Sequence, residues 1–286
     1  MAITIGSNVS SLQAQRRLAM TSETLNQTFL KLSSGQRINK ASDDAAGLAI
    51  ADSLRANIRV TQVAVRNAND GISSIAIADA SLADIGNVLQ RLSELAQQSA
   101  NGTFSVVQRS ALGNEFIALA SEIERIAAST EFNGVRLLSG TQSLVLQVGF
   151  GSQSTSQIQF AGVQGTLQSL GLATIGSSVL TYSLNGTTLE DGGSASRIAL
   201  DAINAAIVTL ASTRGVLGAA ESRLKVAISN LSIARENLSA AESRIRDVDV
   251  AEEAAELTRV NILQQAGASV LAQANQGPSL ALQLIR

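Results

Sequence analysis

The 286-residue chain has no cysteine, no histidine and no tryptophan, one proline, one tyrosine and six phenylalanines. Without Cys or His there is no disulfide, no thiolate or imidazole metal ligand, and no imidazole to serve as a general base near neutral pH. Aromatics, at 2%, fall far below what a small-molecule pocket ordinarily carries, so no cofactor is expected. A formal charge of −2 leaves no basic footprint for nucleic acid. No unbroken run of about eighteen apolar residues suggests a membrane span. The opening MAITIGSNVSSLQAQRRLA lacks the basic start and apolar stretch of a secretory leader, so any export must use another route. What the chain does have is Ala, Leu, Ile and Val, which bring its apolar content to 45%, enough for a core. These aliphatic side chains have few rotamers and no polar atoms to satisfy, which suits them to close helix packing.

Periodicity gives the same reading. Ile203, Leu210, Leu217, Leu224, Leu231, Leu238 and Ile245 recur every seventh residue, as in a coiled-coil-like helix. The positions four residues after each (Ile207, Arg214, Glu221, Ile228, Arg235 and Glu242) are expected to complete the seam. Its charged members either set helix register or snorkel at a wet edge. From about Ser194 to Ser243 this helix would be roughly 75 Å long, and such a rod requires equally long neighbours. One neighbour is the series Ala64, Ala68, Gly71, Ile75, Ala78, Leu82, Ile85, Leu89, Leu92 and Ala96, which alternates spacings of four and three. A third, shorter helix follows the break at Asn101 and Gly102, with Leu112, Phe116, Leu119, Ile123 and Ile126 on one face. All three stripes are expected to bury against one another.

Between Ser139 and Gly193 the texture turns to Gly, Ser, Thr and Gln, with β-prone runs LVLQV from Leu144, QIQF from Gln157 and VLTYSL from Val179. The last run meets Asn185-Gly186, a dipeptide suited to a tight hairpin. The segment is expected to be a small β excursion folded against the helices. Each end carries a further stripe: Leu18, Leu25, Phe29 and Leu32 near the start, and Leu257, Val260, Leu263, Ala266, Val270 and Ala274 near the finish. Gly277 and Pro278 are expected to stop the second of these helices. The only internal partner for either stripe is the other. Both ends are therefore expected to be largely disordered in the isolated chain and to order on assembly.

Candidate chemistry is sparse. Asp43 and Asp44 are adjacent helical residues that cannot face a shared ligand, and they read as a charged helix start after Ser42. Glu252, Glu253 and Glu256 read as a solvated face or an intersubunit contact. No nucleophile–base pair, metal cluster or phosphate loop can be found, so the chain is not expected to be an enzyme.

A family resemblance enters with LSSGQRIN from Leu32, SDDAAGLAI from Ser42, QRLSELAQQSANGT from Gln90 and EFNGVRLL from Glu131. It continues in LSAAESRIRDVDVAEE from Leu238, LTRVNILQQAGASVLAQANQ from Leu257 and the closing Leu284, Ile285 and Arg286. Spread over roughly residues 1–140 and 195–286, in this order, these stretches resemble bacterial flagellin. The resemblance implies a mainly α, hairpin-like subunit: a long antiparallel coiled-coil-like bundle with a small β-hairpin region and terminal helices paired as an inner coiled coil. Residues 1–44 and 244–286 would then be inner-core helices, 45–138 and 194–243 the outer tube, and 139–193 the variable region, too short for large outer domains. The stripes at the ends, Leu18 to Leu32 and Leu257 to Ala274, would pack subunits together. Leu82, Ile85, Leu89 and Leu92 with Leu210, Leu217, Leu224, Leu231 and Leu238 would form the helical seam. Also implied are homopolymer assembly, type III export in unfolded form, an export chaperone, a cap protein and hook-associated junction proteins as partners, and an extracellular filament that drives motility. A junction protein of related architecture is the alternative. Members that activate a vertebrate Toll-like receptor present an Arg, a Leu and a Glu that match Arg91, Leu95 and Glu115, although Ser93 and Gln97 depart from the pattern.

Overall fold

The computed structural model describes residues 8–285 except 141–142, 152, 161–162, 175–176, 178 and 186–188, with backbone alone at 189–190 and 277–285. Five helices dominate: α1 (Val9–Ser34), α2 (Ala45–Ala100), α3 (Val106–Ser129), α4 (Leu189–Arg246) and α5 (Val250–Ile285). Two short antiparallel pairs accompany them, β1 (Glu131–Phe132) with β2 (Val135–Arg136) and β3 (Leu144–Gln147) with β4 (Gln157–Phe160). The fold is mainly α. The chain divides into two compact units, one made of Met1–Ile58 with Glu236–Arg286 and the other of Arg59–Arg235.

In the unit Arg59–Arg235 the α2 series from Ala64 to Ala96 is buried throughout, and Leu82, Ile85, Leu89 and Leu92 are wholly so. On α4 the heptad leucines 210, 217, 224 and 231 are buried too. Beside them, Ala206 and Ala220 three residues on are buried and Thr213 and Ala227 half-buried, while of the companion positions four residues on Ile207, Glu221, Ile228 and Glu242 are half-buried, Ile207 and Ile228 packing against the core. Arg214 stays exposed. Turning it inward would strip water from a charge, whereas the alanines on the other flank bury at no polar cost. The α2–α4 seam therefore sets the α4 leucines, flanked by alanine, against the leucine, isoleucine, alanine and glycine line of α2. At Gly71 a Cβ would meet the end of the Leu146 side chain from β3 and come within 3.3 Å of Leu224, so a larger residue there requires Leu146 to move aside.

α3 begins at a capping box: Ser105 Oγ accepts from the Gln108 backbone N–H while Gln108 Oε1 accepts from the Ser105 N–H. It buries Gly113, Phe116, Ala120, Ile123 and Ala127. Directly after it, Asn133 and Gly134, at φ 51° and 77°, turn a two-residue hairpin between β1 and β2. LVLQ and QIQF pair as β3 and β4. The third β-prone run behaves otherwise: Val179 to Leu184 forms no strand, and only Leu180 bridges, to Ala173. Leu172 and Leu184 are instead pulled into the core at 1% exposure each. The expected turn at Asn185-Gly186 falls partly outside the described residues, because Gly186 is one of those excepted. Val148, Ile158, Phe160, Val163, Leu167 and Leu170 join the helical core, so the β segment has no core of its own.

In the other unit α1 is capped by Asn8 and ends at Gly35, which adopts the left-handed conformation at φ 69°. The linker that follows pairs with the linker between α4 and α5. Arg37 N–H donates to the Arg246 carbonyl (2.6 Å), Val248 N–H to the Gly35 carbonyl (3.1 Å) and the Arg37 guanidinium to the Ile245 carbonyl (2.6 Å). Ile38 is buried at this junction. Asp249 starts α5 by accepting the N–H groups of Ala251 and Glu252. Both ends are helical over their described lengths, with the two stripes facing each other. One expectation is corrected here: α5 runs through Gly277 and Pro278 to Ile285 instead of stopping.

A further correction concerns hydropathy. Ala45–Ala100 and Asp191–Arg246 each contain an 18-residue window of mean hydropathy 1.3, long and apolar enough by composition to cross a membrane. Alanine-rich helices with an apolar seam meet that criterion because alanine counts as apolar even where serine, asparagine and aspartate interrupt it. The windows are 33% and 22% buried within the protein.

Candidate assembly surfaces

α1 and α5 lie antiparallel. Asn8 and Ser11 meet Ala274 and Asn275, Ser22 meets Gln264, and Lys31 approaches Glu253 at 3.9 Å. Positions turned into this pair alternate spacings of three and four on both helices: Ser11, Ala14, Leu18, Thr21, Leu25, Thr28 and Leu32 against Glu253, Leu257, Val260, Gln264, Gly267, Leu271 and Ala274. Only Ala14, Thr28 and Val260 are fully buried; the rest are half-buried. Small residues allow the backbones to approach, and Leu18 Cδ1 lies 3.3 Å from where a Cβ on Gly267 would sit.

The ten terminal residues singled out by their apolar spacing therefore split into two sets. Leu18, Leu25, Leu32, Leu257, Val260 and Ala274 lie in the α1–α5 seam, while Phe29, Leu263, Ala266 and Val270 face outward. Phe29, Leu263 and Val270 are 62%, 52% and 57% exposed. Beside the seam runs a groove of about 400 Å³, its walls formed by Ala14, Leu18 and Met20 from α1 and by Leu263, Ala266 and Val270 from α5, with Arg17 at its edge. The sequence reading missed the polar seam members Thr28 and Gln264. Continuing the three–four alternation through polar positions would have found them.

The acidic residues have local backbone and side-chain partners. Asp44, not Ser42, caps α2 by accepting the Gly47 N–H at 2.9 Å. Asp43 accepts the N–H groups of Lys40 and Asn39, and these two bonds hold its carboxyl below the ordinary aspartate range. Glu253 approaches Lys31, Glu256 pairs with Arg259, and Glu252 sits in the first turn of α5. Among the described residues no three acids group as metal ligands would.

Of the charged seam candidates, Arg214 binds Asp79 on α2 through two hydrogen bonds (2.7 and 3.1 Å), and Glu242 binds Arg55 at 3.0 Å. Glu221 pairs within α4 to Lys225, and Arg235 is exposed. The hydrogen bond from Arg214 keeps Asp79 below the usual carboxylate range. Leu238 is half-buried.

Arg91 and Glu115 do come together. The guanidinium donates twice to Glu115, at 2.9 and 3.0 Å, and once to Glu94, and these two carboxylates raise the Arg91 pKa, Glu94 contributing most. Leu95, the third member of the proposed receptor contact, is 1% exposed. A core residue cannot be presented to a partner, so of the three only Arg91 and Glu115 lie on the surface.

Comparison with known proteins gives a consistent result. The profile of the bacterial flagellin N-terminal helical region matches residues 5–143, and that of the C-terminal helical region matches residues 200–285. The chain is 44% identical over 282 residues to a flagellin of Halalkalibacterium halodurans and 40% identical over 304 residues to a flagellin of Bacillus subtilis, with 99% of both chains covered in each case. Among solved structures, a putative flagellar hook-associated protein from Vibrio parahaemolyticus matches with a TM-score of 0.57 over 72% of this chain and 100% of that one. At 14% identity this last likeness is one of fold alone.

Proposed function

Since the chain belongs to the bacterial flagellin family and is a structural subunit of the flagellar filament, we propose that the outward apolar face of the α1–α5 pair is where one subunit grips the next. The observation that supports this is the inversion of side chains across that pair. The seam between the helices is built largely from small and polar residues, while Met20, Phe29, Leu263 and Val270 are left in water. Burial of apolar surface is worth about 25 cal/mol per Å², and association must first offset the lost freedom of each subunit. A repeated apolar face on both terminal helices supplies such area in every copy.

On this reading residues 1–44 and 244–286 line the inner core, 45–138 and 194–243 the outer tube, and 139–193 its β part. Leu18, Leu25, Leu32, Leu257, Val260 and Ala274 hold the inner pair together. The exposed set meets neighbouring copies. The filament is extracellular, and we assign the subunit's route there to the flagellar export apparatus, with a chaperone shielding the α5 face, a cap protein at the growing tip and hook-associated junction proteins at the base. We assign the surface part of a Toll-like receptor contact to the Arg91–Glu115 pair.

The test is a chain carrying Leu263→Asp and Val270→Asp. Its helix content should match that of the unaltered protein by circular dichroism. Its critical concentration for growth from filament seeds should rise about tenfold or more, equivalent to about 1.4 kcal/mol. Elongation at the unaltered concentration would show that this face meets no neighbour.

A further inference from the structure

We propose that Asn8 is a positioning residue that fixes the register of α1 against α5 by donating to the one carbonyl of α5 that Pro278 leaves without its helical donor. In an α-helix the carbonyl of residue i accepts the N–H of residue i+4. For Ala274 that donor would be residue 278, a proline with no N–H, yet α5 continues past it to Ile285. The vacated acceptor is taken from the other end of the sequence: Asn8 Nδ2 donates to the Ala274 carbonyl at 2.8 Å. The other half of the same amide is also used, because Asn8 Oδ1 accepts the Ser11 N–H at 3.0 Å and thereby caps α1. One step away, Ser11 Oγ donates to Asn275 Oδ1 at 2.6 Å.

The linker bonds between Gly35 and Val248 and between Arg37 and Arg246 anchor one end of the pair. Beyond them the seam repeats every seven residues and is largely small or half-buried, so a slide by one heptad still sets seam position against seam position: Ser22 would leave Gln264 for Leu257 or Leu271. The Asn8 contact does not repeat. The chain has one proline, so no other interior carbonyl of α5 is freed in this way, and a shifted Asn8 would meet carbonyls already bonded within the helix. The inference concerns the pairing within one subunit, whichever face meets a neighbour. Its failure would therefore leave the assembly proposal standing.

The absence of native cysteine allows a direct test in the full-length chain. Ser22→Cys combined with Gln264→Cys reports the observed register, and Ser22→Cys with Leu257→Cys or Leu271→Cys reports a one-heptad slip, read by a short thiol cross-linker. Asn8→Asp keeps the acceptor that caps α1, removes the donor and sets a negative charge against the Ala274 carbonyl. It should raise the slipped fraction by roughly fivefold, equivalent to about 1 kcal/mol. Pro278→Ala, which restores an N–H for Ala274, should raise it similarly, and the double variant should slip no more than either single one. Unchanged cross-linking in Asn8→Asp, additive effects of the two substitutions, or loss of cross-linking at every pair would each overturn the assignment, the last by reducing Asn8 to a cap on α1.

Discussion

Where α2 and α4 face each other in the unit Arg59–Arg235, Leu82, Leu89 and Leu92 lie in one core with Leu210, Leu217 and Leu224, none more than 5% exposed. Where α1 and α5 meet in the other unit, the fully buried side chains are Ala14, Thr28 and Val260, and the leucines of the seam are half-buried. Both pairs follow a three–four alternation and both are antiparallel. They differ in where the large aliphatic residues go. The first pair, joined by α3 and the β segment, sends most of its leucines inward and carries its own core. The second sends Met20, Phe29, Leu263 and Val270 outward, and its seam mixes half-buried leucines with small and polar residues. One periodicity thus gives self-sufficient packing in one unit and, in the assembly proposed above, an adhesive surface in the other.

The contrast can be broken in four ways. The largest effect should come from deleting Leu257–Arg286. Polymerisation should vanish while the far-ultraviolet helical signal of the unit Arg59–Arg235 persists, and filaments seen by electron microscopy would refute the division of labour. Next is Leu89→Ala, which empties a fully buried site and should destabilise the isolated chain by about 2–5 kcal/mol in urea unfolding. Leu18→Ala, on a half-buried position of the α1–α5 seam, should fall below about 2 kcal/mol in the same assay. A cost equal to that of Leu89→Ala would mean that the terminal pair has a core as complete as the other.

The smallest effect concerns Asp79, whose carboxyl is depressed by the hydrogen bond from Arg214. A depressed carboxylate stabilises the fold at pH values above its unfolded value of about 3.9, and that contribution disappears as pH falls through the lower folded value. Both partners are more than 40% exposed, so the pair is worth no more than about 1 kcal/mol. Asp79→Asn should lower the urea midpoint slightly at pH 7 and leave it unchanged near pH 2. A difference that persists in acid would assign the loss to something other than charge.

Much of the fold can be read before any coordinates. The Ala64-to-Ala96 series carries an apolar or small residue at every third or fourth position, and no arrangement other than a helix puts all ten on one side. The strands at Leu144 and Gln157 were legible from their β-prone composition. The hairpin at Asn133-Gly134 was hidden because its strands are two residues each, too short for a composition signal, although the dipeptide itself was in plain view. At Val179 to Leu184 the opposite held. The composition favoured a strand, but the segment gives its leucines to a core of distant helices, and that choice is made by residues more than eighty positions away.

What the sequence determined by itself is that long helices exist and where their apolar lines run. What only the tertiary structure decided is which flank of each line turns inward. At about 100° per residue, position +3 lies roughly 60° to one side of a heptad leucine and position +4 roughly 40° to the other. The helix alone therefore does not choose between Ala220 and Glu221 as the inward neighbour of Leu217. The partner helix chooses, because burying the small residue brings two backbones together without dehydrating a charge, and the larger or charged one is left facing solvent or another copy of the chain.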